Sequence, residues 1–449
     1  MGTLHIIHTN DLHSHFENWE AIVAKITAYK KSLPAGDELL VMDLGDHLDR
    51  SHVFTEATAG KGNVELLNEA GYHFVTIGNN EGITLSHEQL ETLYSEAQFE
   101  VVLSNFFELD GTRPEWLHPY VIHTTSFGKR IGLFGVTAAY DEYYKQLGWH
   151  VTSPLDSVKE SIQVLAHQVD LVLCLAHVGR TMEEEIAEQF PEVDLLFGAH
   201  THHTYSDNYV WGRTHLSAGG KWGMHIGVAV IQFTETAPAI TTTLHPVQPS
   251  SSDTTNSKLI ERGEKLLEVS VFSNDEHLPT AWEVESKLSE RLGEALITYT
   301  EADCALFPAG LLLTDLYPGE ISAKMMHDLL PHPINPCIVT CTGADLIEAY
   351  RIAQNDKWPT LEVRGLGFRG KQLGKLIFAN FVKTGVGYQV NGEPLETKKN
   401  YKLATVDMFT FGYFFPRFKE LPKVYFMPET IRDVFIHYSA SSNDSKRIK

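Results

Sequence analysis

Short apolar runs recur through the first half of this chain, and the residues that close them constrain the fold more than any other feature. The runs are "LHIIHT", "ELLVMDLG", "HFVTIGN", "EVVLSN", "RIGLFGVT", "LVLCLAH", "DLLFGAH" and "IGVAVIQF". As a set they are rich in Val, Ile and Leu, they have the length of strands, and Gly, Asn or His ends most of them. Amphipathic segments lie between several of them. "NWEAIVAKITAYKKSL" puts Trp19, Ile22, Val23, Ile26 and Tyr29 on one helical face. Strand and helix in alternation predict an α/β domain.

From Thr234 the texture changes. "TETAPAITTTLHPVQPSSSDTTNSK" is rich in Thr, Ser and Pro, and after one strand-like stretch it reads as loop and linker. A charged helix, "SKLIERGEKLLEV", follows. The rest carries a helix around "WEVESKLSERLGEALI" and strands near "PCIVTCTG", "KLIFANFV" and "YKLATVDMF". The expected division is a first domain over residues 1–245, a linker and connecting helix over 246–274, and a second domain over 275–449. A chain of 449 residues is long for a single core.

The polar residues at the strand ends carry the chemistry. "HTNDLHSH" offers Asp11 and His13, "LGDHLD" offers Asp46, "IGNN" offers Asn79, "CLAHVG" offers His177, and "FGAHTHH" offers His200 and His202. The i, i+2 spacing of Asp11 and His13 in an extended segment would point both side chains to one side. Open α/β sheets bind ligands at the carboxyl ends of their strands. These seven oxygen and nitrogen donors suit two metal ions that share one carboxylate. Imidazole, carboxylate and amide donors without thiolate favour Mn, Zn, Fe, Co or Ni.

Charge and composition exclude other classes. With 36 Lys and Arg against 58 Asp and Glu, the formal charge is −22. No basic field exists to attract a nucleic-acid polymer, whereas a small phosphorylated ligand can be held locally by metal. No run of about 18 apolar residues is present, so no membrane partner is expected. The start of the chain has no basic and apolar leader, and Ile6 breaks the myristoylation pattern, so a cytoplasmic location is expected. Cys174, Cys304, Cys337 and Cys341 read as ordinary thiols in a reducing compartment.

"DLH" at 11–13, "GD" at 45–46, "GN" at 78–79, His177 and "GAHTH" at 198–202 resemble the calcineurin-like metallophosphoesterases. Their order, with a second domain following, is similar to the bacterial 5′-nucleotidase family, which includes UDP-sugar hydrolases and 2′,3′-cyclic phosphodiesterases. The resemblance implies a four-layer α/β/β/α sandwich holding two divalent metals, followed by a C-terminal α/β domain that binds a nucleoside. It implies that Asp11, His13, Asp46 and His202 hold one metal. Asp46, Asn79, His177 and His200 would hold the other, with Asp46 as the bridge. Such a pair acidifies a water for in-line attack on phosphorus and neutralises the phosphoryl oxygens. The implied activity is hydrolysis of phosphate ester or pyrophosphate bonds in a nucleotide-like substrate.

The sequence departs from the family at informative points. The family motif Gly-Asn-His-Glu-x-Asp reads Gly78-Asn79-Asn80-Glu81-Gly82-Ile83 here. Asn80 replaces the histidine beside the scissile phosphate, and Ile83 replaces the aspartate that orients it. An amide can bond a phosphoryl oxygen but cannot protonate a leaving alkoxide at neutral pH. His15, His47 and His203 lie in the same loops and are substitute proton donors or residues outside the reaction. In the second domain the expected arginine is missing from "FPAGLLLTD" (307–315) and the expected aspartate from "FTFGYFFPRF" (409–418). Phe409, Phe411, Tyr413 and Phe414, and also Phe381, could stack a base or belong to the core. Arg364 and Arg369 could contact an anion or face solvent. A metal-containing nucleotide binder with little turnover is the rival reading.

Overall fold

The computed structural model describes residues 2–235, 237–249 and 254–447. The chain divides into two compact units, Met1–Gly263 and Glu264–Lys449. The division falls inside the helix Thr255–Leu267. Among the described residues, no helix is long and apolar enough to cross a membrane.

In the first unit the strands are β1 (Thr3–Thr9), β2 (Glu38–Asp43), β3 (Phe74–Val75), β4 (Glu100–Val102), β5 (Phe106–Glu108), β6 (Leu117–His118), β7 (Tyr120–Thr124) and β8 (Arg130–Thr137). They continue with β9 (Trp149–Val151), β10 (Leu171–His177), β11 (Leu195–Gly198), β12 (Val210–Trp211), β13 (Thr214–Ser217), β14 (His225–Gln232) and β15 (Ala239–Pro246). One sheet has the order β15-β14-β1-β2-β3-β4-β6, and the other β12-β13-β11-β10-β8-β7. β5 and β9 form a separate antiparallel ribbon.

Side-chain alternation explains the layering. On β10, Leu171, Leu173 and Leu175 share a core with Leu4, Ile6, Leu40 and Met42 of the other sheet. Val172, Cys174 and Ala176 point the other way. They pack with Val158 and Leu165 of the helix Pro154–Leu165 and with Ile186 of the helix Arg180–Gln189. A strand buried on both faces reads as one continuous apolar run, which is what "LVLCLAH" is. On β1, His5 alternates with Leu4 and Ile6, and its Nδ1 pairs with the Tyr29 hydroxyl of the helix Trp19–Ser32 at 2.8 Å. Two sheets face each other with helices outside, giving the four-layer sandwich. The helix buries Trp19, Ile22 and Ile26, while Val23 and Tyr29 are half-buried.

In the second unit β16 (Ser270–Asn274), β17 (Cys304–Pro308), β18 (Gly319–Ser322), β19 (Pro336–Thr342) and β20 (Leu376–Ala379) are followed by β21 (Phe381–Thr384), β22 (Gly387–Val390), β23 (Glu393–Pro394), β24 (Asn400–Val406) and β25 (Lys423–Tyr425). The main sheet runs β20-β17-β24-β19-β25. The helix Lys287–Thr300 starts where Ser286 accepts the Ser289 N–H. It drives Leu288, Leu292 and Leu296 into a core with Leu306, Phe307, Val339 and Leu403. β16, in the stretch read as connecting, pairs antiparallel with β18. All four cysteines are free thiols and buried.

Candidate metal centre

The seven donors stand at the carboxyl ends of parallel strands. β1, β2 and β3 are parallel neighbours, as are β10 and β11. Asp11 and His13 follow β1, Asp46 follows β2, Asn79 follows β3, and His200 and His202 follow β11; His177 closes β10. The extended geometry expected for Asp11 and His13 is absent. Asp11, His13, Asp46, His200 and His202 have positive φ, at 49°, 50°, 52°, 77° and 56°. Left-handed backbone at non-glycine residues costs on the order of 1–3 kcal/mol each and persists only where surroundings fix it. Here the loops after β1 and β2 zip together: Asp11 N–H donates to Gly45 C=O at 3.1 Å and His13 N–H to Asp46 C=O at 2.9 Å. A Cβ on Gly78 would lie 2.2 Å from Asp46 Oδ1, so only glycine admits this approach.

The side chains converge in two groups. Asp11, His13 and His202 form one, and Asp46, His177 and His200 the other, each with its donor atoms within 4.8 Å of one another. In the first, His13 Nε2 is 3.0 Å from His202 Nε2 and 3.8 Å from Asp11 Oδ1. Asp46 Oδ2 reaches both groups, at 3.4 Å from His177 Nε2 and 3.8 Å from His13 Nε2. Burial opposes ionisation of Asp46, but the charge and hydrogen bond of His177, the His13 charge and the Asn80 N–H together hold the carboxyl below its usual range. Burial disfavours the His177 cation, yet Asp46 raises that imidazole to about 10. Burial pushes Asp11 up to about 7 and, aided by the His177 charge, His200 down to about 4.

Unpaired atoms test whether this donor set fits metal. His177 Nδ1 bonds the Leu44 carbonyl at 2.7 Å, so Nδ1 carries hydrogen and Nε2 turns inward, where a metal would take the place of its proton. His200 Nε2 lies 3.0 Å from the Tyr140 hydroxyl, leaving Nδ1 for the centre. His177 Nε2, His200 Nδ1 and Asn79 Oδ1 are buried with no hydrogen-bond partner. Buried polar atoms ordinarily have partners, and a divalent cation is one that would satisfy all three. A set of oxygen and nitrogen donors without thiolate fits divalent metal.

The proton-donor candidates separate. His47 is buried, edge-on to Trp19 at 5.2 Å, and burial pushes it down to about 3. It is a core residue, which corrects its reading as a donor. His203 is also corrected: its Nδ1 pairs with Thr201 Oγ1 at 2.9 Å and its Nε2 with buried Glu183 at 3.0 Å, so both ring nitrogens are taken. His15 stays at the surface of the ligand loop, with Nδ1 on Glu17 at 2.6 Å. Asn80 donates from Nδ2 to the Leu48 carbonyl at 2.9 Å and from its backbone N–H to Asp46 Oδ1 at 2.7 Å.

In the second unit, Phe381, Phe409 and Phe414 are buried core residues and are corrected as stacking candidates. Phe411 and Tyr413 are 42% and 67% exposed. Arg364 is exposed and 3.5 Å from Glu362. Arg369 donates from its backbone to His332 Nδ1 and from its guanidinium to the Phe368 carbonyl. Two residues escaped the sequence reading. Tyr140 follows β8 in "GVTAAY", where nothing marks its hydroxyl as special. Glu81 is visible in "GNNE", but its role is not: its carboxylate accepts the N–H groups of Gly78, Asp46 and Leu48 at 2.8, 2.9 and 3.1 Å.

Comparison with known proteins accords with this geometry. Residues 4–204 match the calcineurin-like phosphoesterase family. The chain is 39% identical to the uncharacterized metallophosphoesterase YunD of Bacillus subtilis, over 96% of this chain and 98% of that protein. A putative 5′-nucleotidase of Staphylococcus aureus shares the fold with a TM-score of 0.69 at 16% identity, covering 100% of this chain and 98% of the other. The NAD nucleotidase of Haemophilus influenzae does so with a TM-score of 0.67 at 16% identity, covering 98% and 96%. Convergent donors at the strand ends, a matching first unit and a relative alike along nearly its whole length lead to one conclusion: the chain belongs to the calcineurin-like metallophosphoesterases, metal-dependent hydrolases of phosphoric esters, and has the two-domain architecture of the 5′-nucleotidases.

Proposed function

We propose that this enzyme hydrolyses phosphate ester or pyrophosphate bonds of a nucleotide-like substrate at two metal ions bridged by Asp46. The observation that carries the reading is the pair of donor groups joined at Asp46, with three buried donor atoms that have no hydrogen-bond partner. Asp11, His13, His202 and Asp46 would hold one ion, and Asp46, Asn79, His177 and His200 the other. When bound, the ions supply Lewis acidity that neutralises phosphoryl oxygens and acidifies an attacking water. The chain's own part is orientation: the Leu44 carbonyl fixes the His177 tautomer, and Tyr140 holds the His200 ring.

The proposed nucleotide preference draws on the names of the relatives, a 5′-nucleotidase and a NAD nucleotidase. It also draws on the exposed rings of Phe411 and Tyr413 in the second unit, which we read as the nucleoside-binding part. Asn80 supplies no proton, and His47 and His203 are engaged elsewhere, so protonation of the leaving oxygen falls to His15 or to solvent. Substrates with acidic leaving groups, such as pyrophosphates and aryl phosphates, should then turn over faster than simple sugar phosphates. The test is phosphate release from nucleotides, sugar nucleotides, cyclic phosphates and an aryl phosphate series, with Mn²⁺ or Co²⁺ added and Asp46→Asn as the blank. Rates independent of leaving-group acidity would sink the preference, and tight nucleotide binding without release would favour a binder instead.

A further inference from the structure

The segment Gly219–Trp222, between β13 and β14, is strapped to both loops that carry the first donor group. Asn10 does much of the strapping: its Oδ1 accepts the Gly219 N–H at 2.9 Å and its Nδ2 donates to the Gly220 carbonyl at 2.7 Å. Gly220 N–H donates to the His203 carbonyl at 3.0 Å, and Trp222 N–H to the Asp11 carbonyl at 2.7 Å. Asn18 Nδ2 donates to the Trp222 carbonyl at 2.8 Å. Trp222 itself has a φ of 59° and is 38% exposed, a strained and open position for so large a residue. Lys221 thus lies between the loop of Asp11 and His13 and the loop of His202.

The Lys221 ammonium is 3.9 Å from the centroid of the Trp222 ring, and the His15 ring lies 4.5 Å from the same indole. Lys221 is half-buried. Among the described residues it makes no ion pair with a carboxylate, although the chain has 58 of them.

We infer that Lys221, held by Trp222, is an anion contact for the phosphoryl group at this centre, supplied by the first unit itself. The inference rests on the proposed hydrolase reading. An ammonium on a flexible stem serves phosphate as a point charge, and the aromatic face keeps it in place without neutralising it.

The experiment uses the full chain loaded with Mn²⁺ and inorganic phosphate as the probe, followed by calorimetry. Lys221→Met keeps the stem on the indole and removes the charge. It should weaken phosphate binding about tenfold and raise KM for a phosphate ester to match, with Mn²⁺ stoichiometry unchanged. Lys221→Arg should restore most of the affinity. Phosphate binding by Lys221→Met equal to the parent's, loss of Mn²⁺ from that variant, or no phosphate binding by the parent would overturn the inference. A parent that binds Mn²⁺ and phosphate but releases none from nucleotides would overturn the hydrolase reading alone, and the Lys221 comparison would still decide this point.

Discussion

Asp46 and the two asparagines after β3 show how much single residues determine here. Asp46 places one carboxylate oxygen near an imidazole of each donor group. Tyr140 acts through another residue, since its hydroxyl fixes the ring of His200. Outer partners of metal-ligating histidines commonly matter about 10- to 100-fold in affinity, so Tyr140→Phe should weaken binding of one Co²⁺ about tenfold in a spectroscopic titration and leave the other unaffected. Equal affinities in variant and parent would remove that role. Asn79 and Asn80 differ although they are adjacent: Asn79 Oδ1 has no partner, while the Asn80 amide is tied to Leu48. Asn80 and Ile83 lie three residues apart in the helix Asn79–Thr84, so side chains there share a face. Asn80→His with Ile83→Asp should speed hydrolysis of alkyl phosphates by about 10²-fold while changing aryl phosphates little. A uniform change across leaving groups would contradict the account. The donor order was legible because each donor ends a strand. Tyr140 was not, because a hydroxyl past a strand end carries no pattern, and His47 and His203 misled because loop membership does not reveal direction.

At the level of elements, the strand alternation and the helix of Trp19, Ile22 and Ile26 could be read from periodicity. The loop geometry could not. Spacing suggested that Asp11 and His13 converge along an extended segment, but they converge through left-handed turns held by hydrogen bonds between loops distant in sequence. β16 was missed for a similar reason: its partner β18 is remote, and local composition does not announce a two-stranded pairing. Glu81 is the brace of the Asp46 turn, since it gathers N–H groups from two loops. Glu81→Gln would set an amide N–H against backbone N–H donors. Its expected cost is about 2–3 kcal/mol, visible as a lower urea midpoint of the metal-free protein. An unchanged midpoint would mean that the turn holds without its brace.

For the whole molecule, buried acids shape the response to pH. In the second unit, burial raises Asp407 to about 7 even though it accepts the Asn335 N–H at 3.1 Å. The folded state therefore binds a proton that the unfolded chain releases near the ordinary carboxylate range, and stability falls as pH rises from about 4 to about 7. Asp407→Asn should flatten that part of the urea-midpoint profile, and a profile parallel to the parent's would contradict the assignment. The centre in the first unit allows the most direct test of all. Metal-free protein should be titrated with Mn²⁺ while bound metal and phosphate release from a nucleotide are followed together. The account predicts two ions per chain, with activity that rises as the second site fills, and an Asp46→Asn variant that loses both the second ion and the activity. Full activity at one ion per chain, or undiminished activity in Asp46→Asn, would contradict it.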